Sequence, residues 1–188
     1  MNPADLRFAH HDDFSSVLNV ARLNTPLGQM LAVFSEEGLC LLEFADQDGV
    51  QRELNQLHET LRANFSWQKS PYHALLAQEL VDYFAGRLTA FTTPLHTVGT
   101  DFQQQVWRAL STIPYGETRS YKEQAQILGN ERAVRAVAAA NGQNKISILI
   151  PCHRVIGSDG KLTGYAGGVQ RKKFLLDLER NAFQTALF

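Results

Sequence analysis

Apolar and polar positions divide the chain into short blocks of different period. In LGQMLAVFSEEGLCLLEFAD, residues 27–46, two apolar runs flank the polar tetrapeptide SEEG and read as two strands joined by a turn. Helical spacing follows in VQRELNQLHETLR (50–62) and in YHALLAQELVDYFAG (72–86), so the first half of the chain has the pattern of an α+β unit. In DFQQQVWRALSTIPYG (101–116), Phe102, Val106, Trp107 and Leu110 recur at helical steps, with Gly116 as a stop signal. Next, Ser120 is placed to cap a helix over 121–128, Gly129 to turn the chain, and Asn130 to cap a second helix over 131–141, which is helix-turn-helix spacing. In the last helix, QRKKFLLDLER, the apolar stripe is Phe174, Leu175 and Leu178, and Glu179 lies at its edge.

The second helix of the pair has one unusual face. Arg132, Arg135, Ala136 and Ala139 are neighbours at three- and four-residue steps, so two long cations rise from an almost bare surface that another body can approach closely. An ordinary solvated helix rich in alanine fits the same pattern.

Composition narrows the classes. No apolar stretch reaches membrane-spanning length, and the opening MNPADLRFAHHDDF lacks the apolar core and cleavage site of a signal peptide; a cytoplasmic protein is the expectation. Two cysteines without C-x-x-C spacing, and histidines without ligand spacing, predict no structural metal. Net charge is near zero but unevenly placed: residues 1–100 carry 6 basic against 12 acidic side chains, whereas residues 101–188 carry 12 against 7. The basic half suits a polyanion, although it also suits a plain solvated face. Cys40 lies inside an apolar strand with no polar partner in the sequence around it, and reads as a small buried hydrophobe.

Chemistry concentrates in ILIPCHRVIGSDG, residues 148–160. Ile148, Leu149 and Ile150 read as a short buried strand that Pro151, lacking an N–H, would end. Cys152 is reactive only as thiolate, and His153 is the adjacent base; side chains of neighbouring extended residues point apart, so a water between imidazole and sulfur is expected. A base works best with a third group fixing its tautomer, and Glu179 is the candidate; a surface glutamate beside Arg171 or Arg180 is the alternative.

Taken together, SYKEQAQILGN, RAVRAVAAANGQN, ILIPCHRVIG and GYAGGVQRKKFLLDLE resemble the O6-alkylguanine-DNA alkyltransferases, also called methylated-DNA–protein-cysteine methyltransferases, over about residues 22–180. The resemblance implies an α+β amino-terminal domain over 1–98, with 1–21 an unmatched arm. A mainly α, winged-helix-like carboxyl-terminal domain containing a helix-turn-helix would follow over 99–188. It implies a monomeric DNA repair protein that flips O6-alkylguanine, and O4-alkylthymine, out through the minor groove of duplex DNA with little sequence preference. The alkyl group would move irreversibly to Cys152, without cofactor or metal, in a single-turnover suicide reaction.

Residue by residue, the resemblance makes His153 the base acting through water and Glu179 its support, while Tyr121 presses on the phosphate and donates to the departing guanine. Arg135 fills the vacated stack, and Asn130, Lys122, Ser158, Ala136 and Ala139 meet phosphate or groove. Asn144 braces the loop, Tyr165 walls the pocket beside Ser147, and backbone groups of Val155 and Ala166 read the base edges. Some relatives carry glycine at positions 138 and 139, glutamine at 122 and proline at 147; Ser147 would reduce the grip on a flat benzyl substituent. The rival readings are an alkyltransferase-like or helix-turn-helix DNA binder without transfer activity, and a multiple-turnover cysteine hydrolase.

Overall fold

The computed structural model describes residues 6–185. Four strands form one sheet in the order β3-β2-β1-β4: β1 (Ser16–Thr25), β2 (Gly28–Phe34), β3 (Leu39–Phe44) and β4 (Ala63–Ser66). β1–β2 and β2–β3 are antiparallel, joined by tight turns, and β4 returns parallel to β1 after helix α1 (Val50–Leu61). The two strands β2 and β3 read as nearly unbroken apolar runs because both faces of the sheet are covered there. Leu31, Val33, Leu41, Leu54 and Leu57 pack on the α1 side, while Met30, Phe34, Leu42 and Phe44 join a second core with α2 (His73–Phe84).

That second core runs without a break into the carboxyl-terminal half, through Trp107, Leu110, Ile146, Val155 and Leu175. Helix α3 (Asp101–Leu110) opens with a capping box between Thr100 and Gln103. Arg119–Ser120 forms the two-residue strand β5, and Ser120 with Glu123 makes a second capping box for α4 (Tyr121–Ile127). A 3₁₀ turn over Glu131–Ala133 leads into α5 (Val134–Asn141). Gln124 and Asn141 exchange two hydrogen bonds, at 3.1 and 2.6 Å, and fix the angle between α4 and α5 from inside. β6 (Val155–Ile156) pairs parallel with β5, and α6 (Val169–Thr185) closes the fold.

Several sequence expectations change. The stretch 16–21, read as unmatched arm, begins β1, a strand paired on both sides; residues 1–5 of the arm and 186–188 of the expected second domain lie outside the described residues. α3 ends at Leu110, with Gly116 bending the chain six residues later, and Phe102 and Phe174 are exposed rather than in their apolar stripes. The second helix of the pair is not continuous from Glu131, since its first turn is 3₁₀. Cys40 is buried as expected, but with polar neighbours: its Sγ lies 3.8 Å from His96 Nδ1 and 3.6 Å from the Gly38 carbonyl.

Ile148, Leu149 and Ile150 are not a strand. Ile146 bridges Leu42 on the edge strand β3, with Leu42 N–H donating to the Lys145 carbonyl and Ser147 N–H to the Leu42 carbonyl, both at 2.8 Å. The chain then turns twice. Leu149 N–H donates to the Ser147 carbonyl at 2.9 Å around Ile148, whose φ is +72°, giving the strained form of the γ-turn. Cys152 N–H donates to the Ile150 carbonyl at 2.8 Å around Pro151 at φ −81° and ψ 59°, the relaxed inverse form that proline's ring favours. Ile148 and Ile150 are buried by this double turn, so the apolar run mimics a strand without being one.

A β-branched residue in the left-handed region costs about 1–2 kcal/mol. Ile148→Gly and Ile148→Ala both lose the buried side chain, but only the glycine relieves the backbone. Urea unfolding is therefore expected to find Ile148→Gly more stable than Ile148→Ala by about 1 kcal/mol, reversing the usual order of the two residues.

Candidate active site

Cys152 opens a single 3₁₀ turn, Cys152–Arg154, that follows the double turn and precedes β6. Its side chain lies at the floor of a cavity of about 150 Å³, walled by Tyr121, Ala138, Asn144, Ser147, Tyr165 and Ala166. Asn144 holds both the loop and the sulfur. Its Oδ1 accepts from Ile146 N–H at 3.0 Å, and its Nδ2 donates to the Ile150 carbonyl at 2.9 Å and to Cys152 Sγ at 3.2 Å.

His153 is fully buried, and its Nε2 lies 2.8 Å from Glu179 Oε1. Burial opposes ionisation of Glu179, but hydrogen bonds from His153 and Arg154 outweigh it and hold the carboxyl at about 2. An ionised carboxylate at that distance needs a donor, so Nε2 carries the ring proton and Nδ1 is left as an acceptor. Nδ1 is buried and makes no hydrogen bond among the described residues. Burial also lowers the His153 pKa below its ordinary value, against the pull of Glu179, so the imidazole is neutral near pH 7.

Glu179 collects more donors than His153. Arg154 Nε and Nη2 donate to its two oxygens at 2.8 and 3.0 Å, Tyr83 Oη donates at 2.6 Å, and Gly116 N–H at 3.2 Å. Arg154 Nη1 also donates to the Ile113 carbonyl at 2.6 Å. Neither alternative partner named from the sequence is used: Arg171 pairs with Asp46, and Arg180 is exposed.

The cysteine differs from its sequence expectation. Burial pushes the Cys152 thiol up to about 11, and the hydrogen bond from Asn144 offsets this only in part. His153 and Glu179 therefore do not raise a standing thiolate population; thiol and imidazole are both neutral at rest. A neutral thiol has to lose its proton to react, and His153 Nδ1 carries a lone pair that no described residue uses.

Three residues that sequence reasoning missed shape the site. Tyr83 comes from α2, in the other half of the chain. Arg154 stands in the quoted CHRV run, yet the sequence pairs it with nothing. Lys172, fully buried on α6, donates to the carbonyls of Val155 at 2.6 Å, Thr163 at 2.7 Å and Gly164 at 3.2 Å, clamping the loop that carries Tyr165 and Ala166. Burial lowers its pKa to about 8. The clamp occupies one lone pair of the Val155 carbonyl, which would have to read a base edge with the other, and Val155 is not among the cavity walls. Burial raises the Tyr121 pKa, so its phenol stays neutral, and its Oη donates to the Thr163 carbonyl at 3.3 Å.

The residues expected to meet DNA are all exposed. Arg135, Ala136 and Ala139 are exposed on α5, whose inner positions Val137, Ala140 and Asn141 are buried, while Ala138 walls the cavity itself. Lys122, Asn130 and Ser158 are exposed as well, with Asn130 Oδ1 accepting from Arg132 N–H at 3.2 Å as the cap of the 3₁₀ turn.

Comparisons with known proteins give this geometry a context. Residues 20–97 match the ribonuclease-like domain of 6-O-methylguanine DNA methyltransferase, and residues 101–181 match its DNA-binding domain. A methylated-DNA–protein-cysteine methyltransferase of Methanosarcina barkeri is 47% identical over 85% of this chain and 95% of its own. Another, from Mycobacterium bovis, is 53% identical over 69% of this chain and 78% of its own. Mycobacterium tuberculosis OGT, solved in complex with DNA, superposes with a TM-score of 0.72 at 40% identity, covering 88% of this chain and 94% of that one.

Two measurements follow from the site's electrostatics. Iodoacetamide labelling of Cys152 in the native protein, followed by peptide mass analysis, should rise about tenfold per pH unit from 7 to 10 and level off only near 11, where a free cysteine levels off about two units lower. A plateau near neutrality would contradict the neutral-thiol resting state. Tyr83→Phe removes one hydrogen bond to a charged group and should cost about 1.5–3 kcal/mol in urea unfolding, and Glu179→Ala, which strands Arg154, about 3–5 kcal/mol.

Proposed function

The chain belongs to the methylated-DNA–protein-cysteine methyltransferase family, and on that premise we propose that it repairs O6-alkylguanine, and O4-alkylthymine, in duplex DNA by moving the alkyl group to Cys152. DNA binding and alkyl transfer to a cysteine are the family's function; the lesion, the groove and the roles of individual residues are our reading for this protein. The observation that carries it is the placement of Cys152 Sγ in a cavity of about 150 Å³ whose wall includes Ala138, on the helix that exposes Arg135 and two alanines.

The target carbon is inside a stacked duplex, so the nucleotide must leave the stack before a fixed sulfur can reach it, at a cost of about a few kcal/mol. Arg135, long and exposed, fills the space left behind. Ala136 and Ala139 keep the face thin enough for a minor groove about 6 Å wide. Lys122, Asn130 and Ser158 meet the backbone, a contact set that carries little sequence information and suits a search for damage anywhere. One chain supplies every group named, so the protein acts as a monomer.

In the pocket, Tyr121 donates to the leaving purine while Asn144 and Tyr165 align the sulfur with the alkyl carbon. The thiol proton passes through a water to His153 Nδ1 as the Sγ–C bond forms and the C–O6 bond breaks. The electron pair of that bond stays on guanine, which takes up one proton, so the net products are unmodified guanine and a thioether on Cys152. Nothing hydrolyses a thioether, so the reaction is stoichiometric and needs no cofactor.

Titration with duplex carrying O6-methylguanine should consume one equivalent of lesion per protein and add 14 Da, about the mass of one methylene, to the peptide holding Cys152. Cys152→Ser should lower the rate by several orders of magnitude while retaining DNA binding. Turnover beyond one equivalent would indicate a hydrolase, and binding without transfer a lesion-marking protein. Arg135→Ala should slow repair in duplex by about tenfold or more, with a smaller effect on a single-stranded substrate that needs no extrusion.

A further inference from the structure

Behind the cavity stands a group from the other half of the chain. Ser147 Oγ, on the cavity wall, donates to Glu43 Oε2 at 2.9 Å, and both residues are within 1% of full burial. Resting on the repair function proposed above, we propose that Glu43, through Ser147, makes the alkyl-facing wall of the cavity a hydrogen-bonding surface, so that this protein favours O6-hydroxyalkyl lesions over apolar alkyl groups of the same size.

Both protons of Ser147 are used inside the protein. Its N–H is committed to the Leu42 carbonyl at 2.8 Å, and its hydroxyl proton to Glu43, so the remaining valence of Oγ toward the cavity is lone pair. Tyr165 walls the same cavity, and its buried Oη has no hydrogen-bond partner among the described residues. A terminal hydroxyl on the alkyl group can donate to Ser147 Oγ, whereas a methyl in its place leaves that lone pair unused.

Glu43 keeps the serine in this orientation. It is central to a buried polar group that includes Gln47, Glu53 and Lys145, and Glu43 Oε1, both side-chain polar atoms of Gln47, and Glu53 Oε2 have no partner among the described residues. Burial, reinforced by the Glu53 charge, raises the Glu43 pKa well above the carboxylate range. Glu43 Oε2 accepts from Ser147, and Oε1, which does not, is the oxygen left to carry the proton. The first half of the chain thereby contributes to the part of the site that touches the alkyl group and not the base.

The test compares isosteres. Single-turnover rates are measured on duplexes carrying O6-(2-hydroxyethyl)guanine and O6-(n-propyl)guanine, for wild type, Ser147→Ala and Glu43→Gln, and expressed as the hydroxyethyl-to-propyl ratio of each protein. The wild-type ratio should exceed one, and Ser147→Ala should lower it by about tenfold, the weight of one buried hydrogen bond. Glu43→Gln, whose amide can turn an N–H donor toward Ser147 in place of the accepting Oε2, should lower it severalfold. A wild-type ratio at or below one, or a ratio unchanged in Ser147→Ala, overturns the proposal; a ratio that falls in Ser147→Ala but not in Glu43→Gln overturns the part assigned to Glu43. If Glu43→Gln does not fold, the first two ratios still decide. Absence of transfer from O6-methylguanine in the wild type would instead refute the repair function itself.

Discussion

A carboxylate without access to water must be surrounded by donors, and Glu179 draws its donors from three separate stretches of chain. Tyr83 reaches it from α2, Gly116 from the loop after α3, His153 and Arg154 from the turn that carries the cysteine, and the carboxylate itself sits on α6. Burying a single charge costs several kcal/mol, and removal of any one donor leaves part of that cost uncompensated. The arrangement is therefore close to all-or-none. It joins the two halves of the chain, sets the histidine tautomer and fixes the position of the reactive turn through one group.

Rigidity in the turn complements this hub. Asn144 restrains the loop through three contacts, Lys172 gathers the carbonyls of Val155, Thr163 and Gly164, and the edge strand β3 grips residues 145–147 with main-chain hydrogen bonds. The strain at Ile148 is tolerated because these contacts over-determine the loop. What results is a sulfur held in place as a neutral thiol. For a group that can react only once, a resting thiolate would be a liability, since any soft electrophile could consume it. A thiol near 11 beside a neutral imidazole stays quiet until a substrate supplies both the electrophilic carbon and the geometry for proton removal.

The sequence disclosed those features whose causes are local. The Ser120 cap, the glycine turn at 129 and the outer face of α5 depend on residues within a few positions of each other, and they are where the spacing puts them. β4 has four residues and no alternating signal of its own, being defined by its parallel pairing with β1, and β1 carries polar residues between its buried ones. The ILI run misleads because burial, not extension, makes it apolar. For the site, Cys152, His153 and Glu179 could be named, since a family motif spans them. Tyr83 and Glu43 could not: each reaches its partner across about a hundred residues, and each looks in sequence like one more polar position on an amphipathic element.

Those two residues change the meaning of the amino-terminal half. In an edge strand the unpaired backbone is a liability that a protein must cover. Here residues 94–96 cover one end of β3 and the loop that carries the cysteine covers the other, so hydrogen bonds that protect β3 also define the reactive site. Once Leu42 has fixed the register of residues 145–147, the next residue along β3 is necessarily adjacent to Ser147, and the side chain at 43 becomes part of the cavity's second layer whatever its identity. An apolar residue there would leave the serine hydroxyl to turn freely, whereas a carboxyl directs it. Substrate preference can therefore be altered from the amino-terminal sheet without any change in the groups that bind DNA or move the proton.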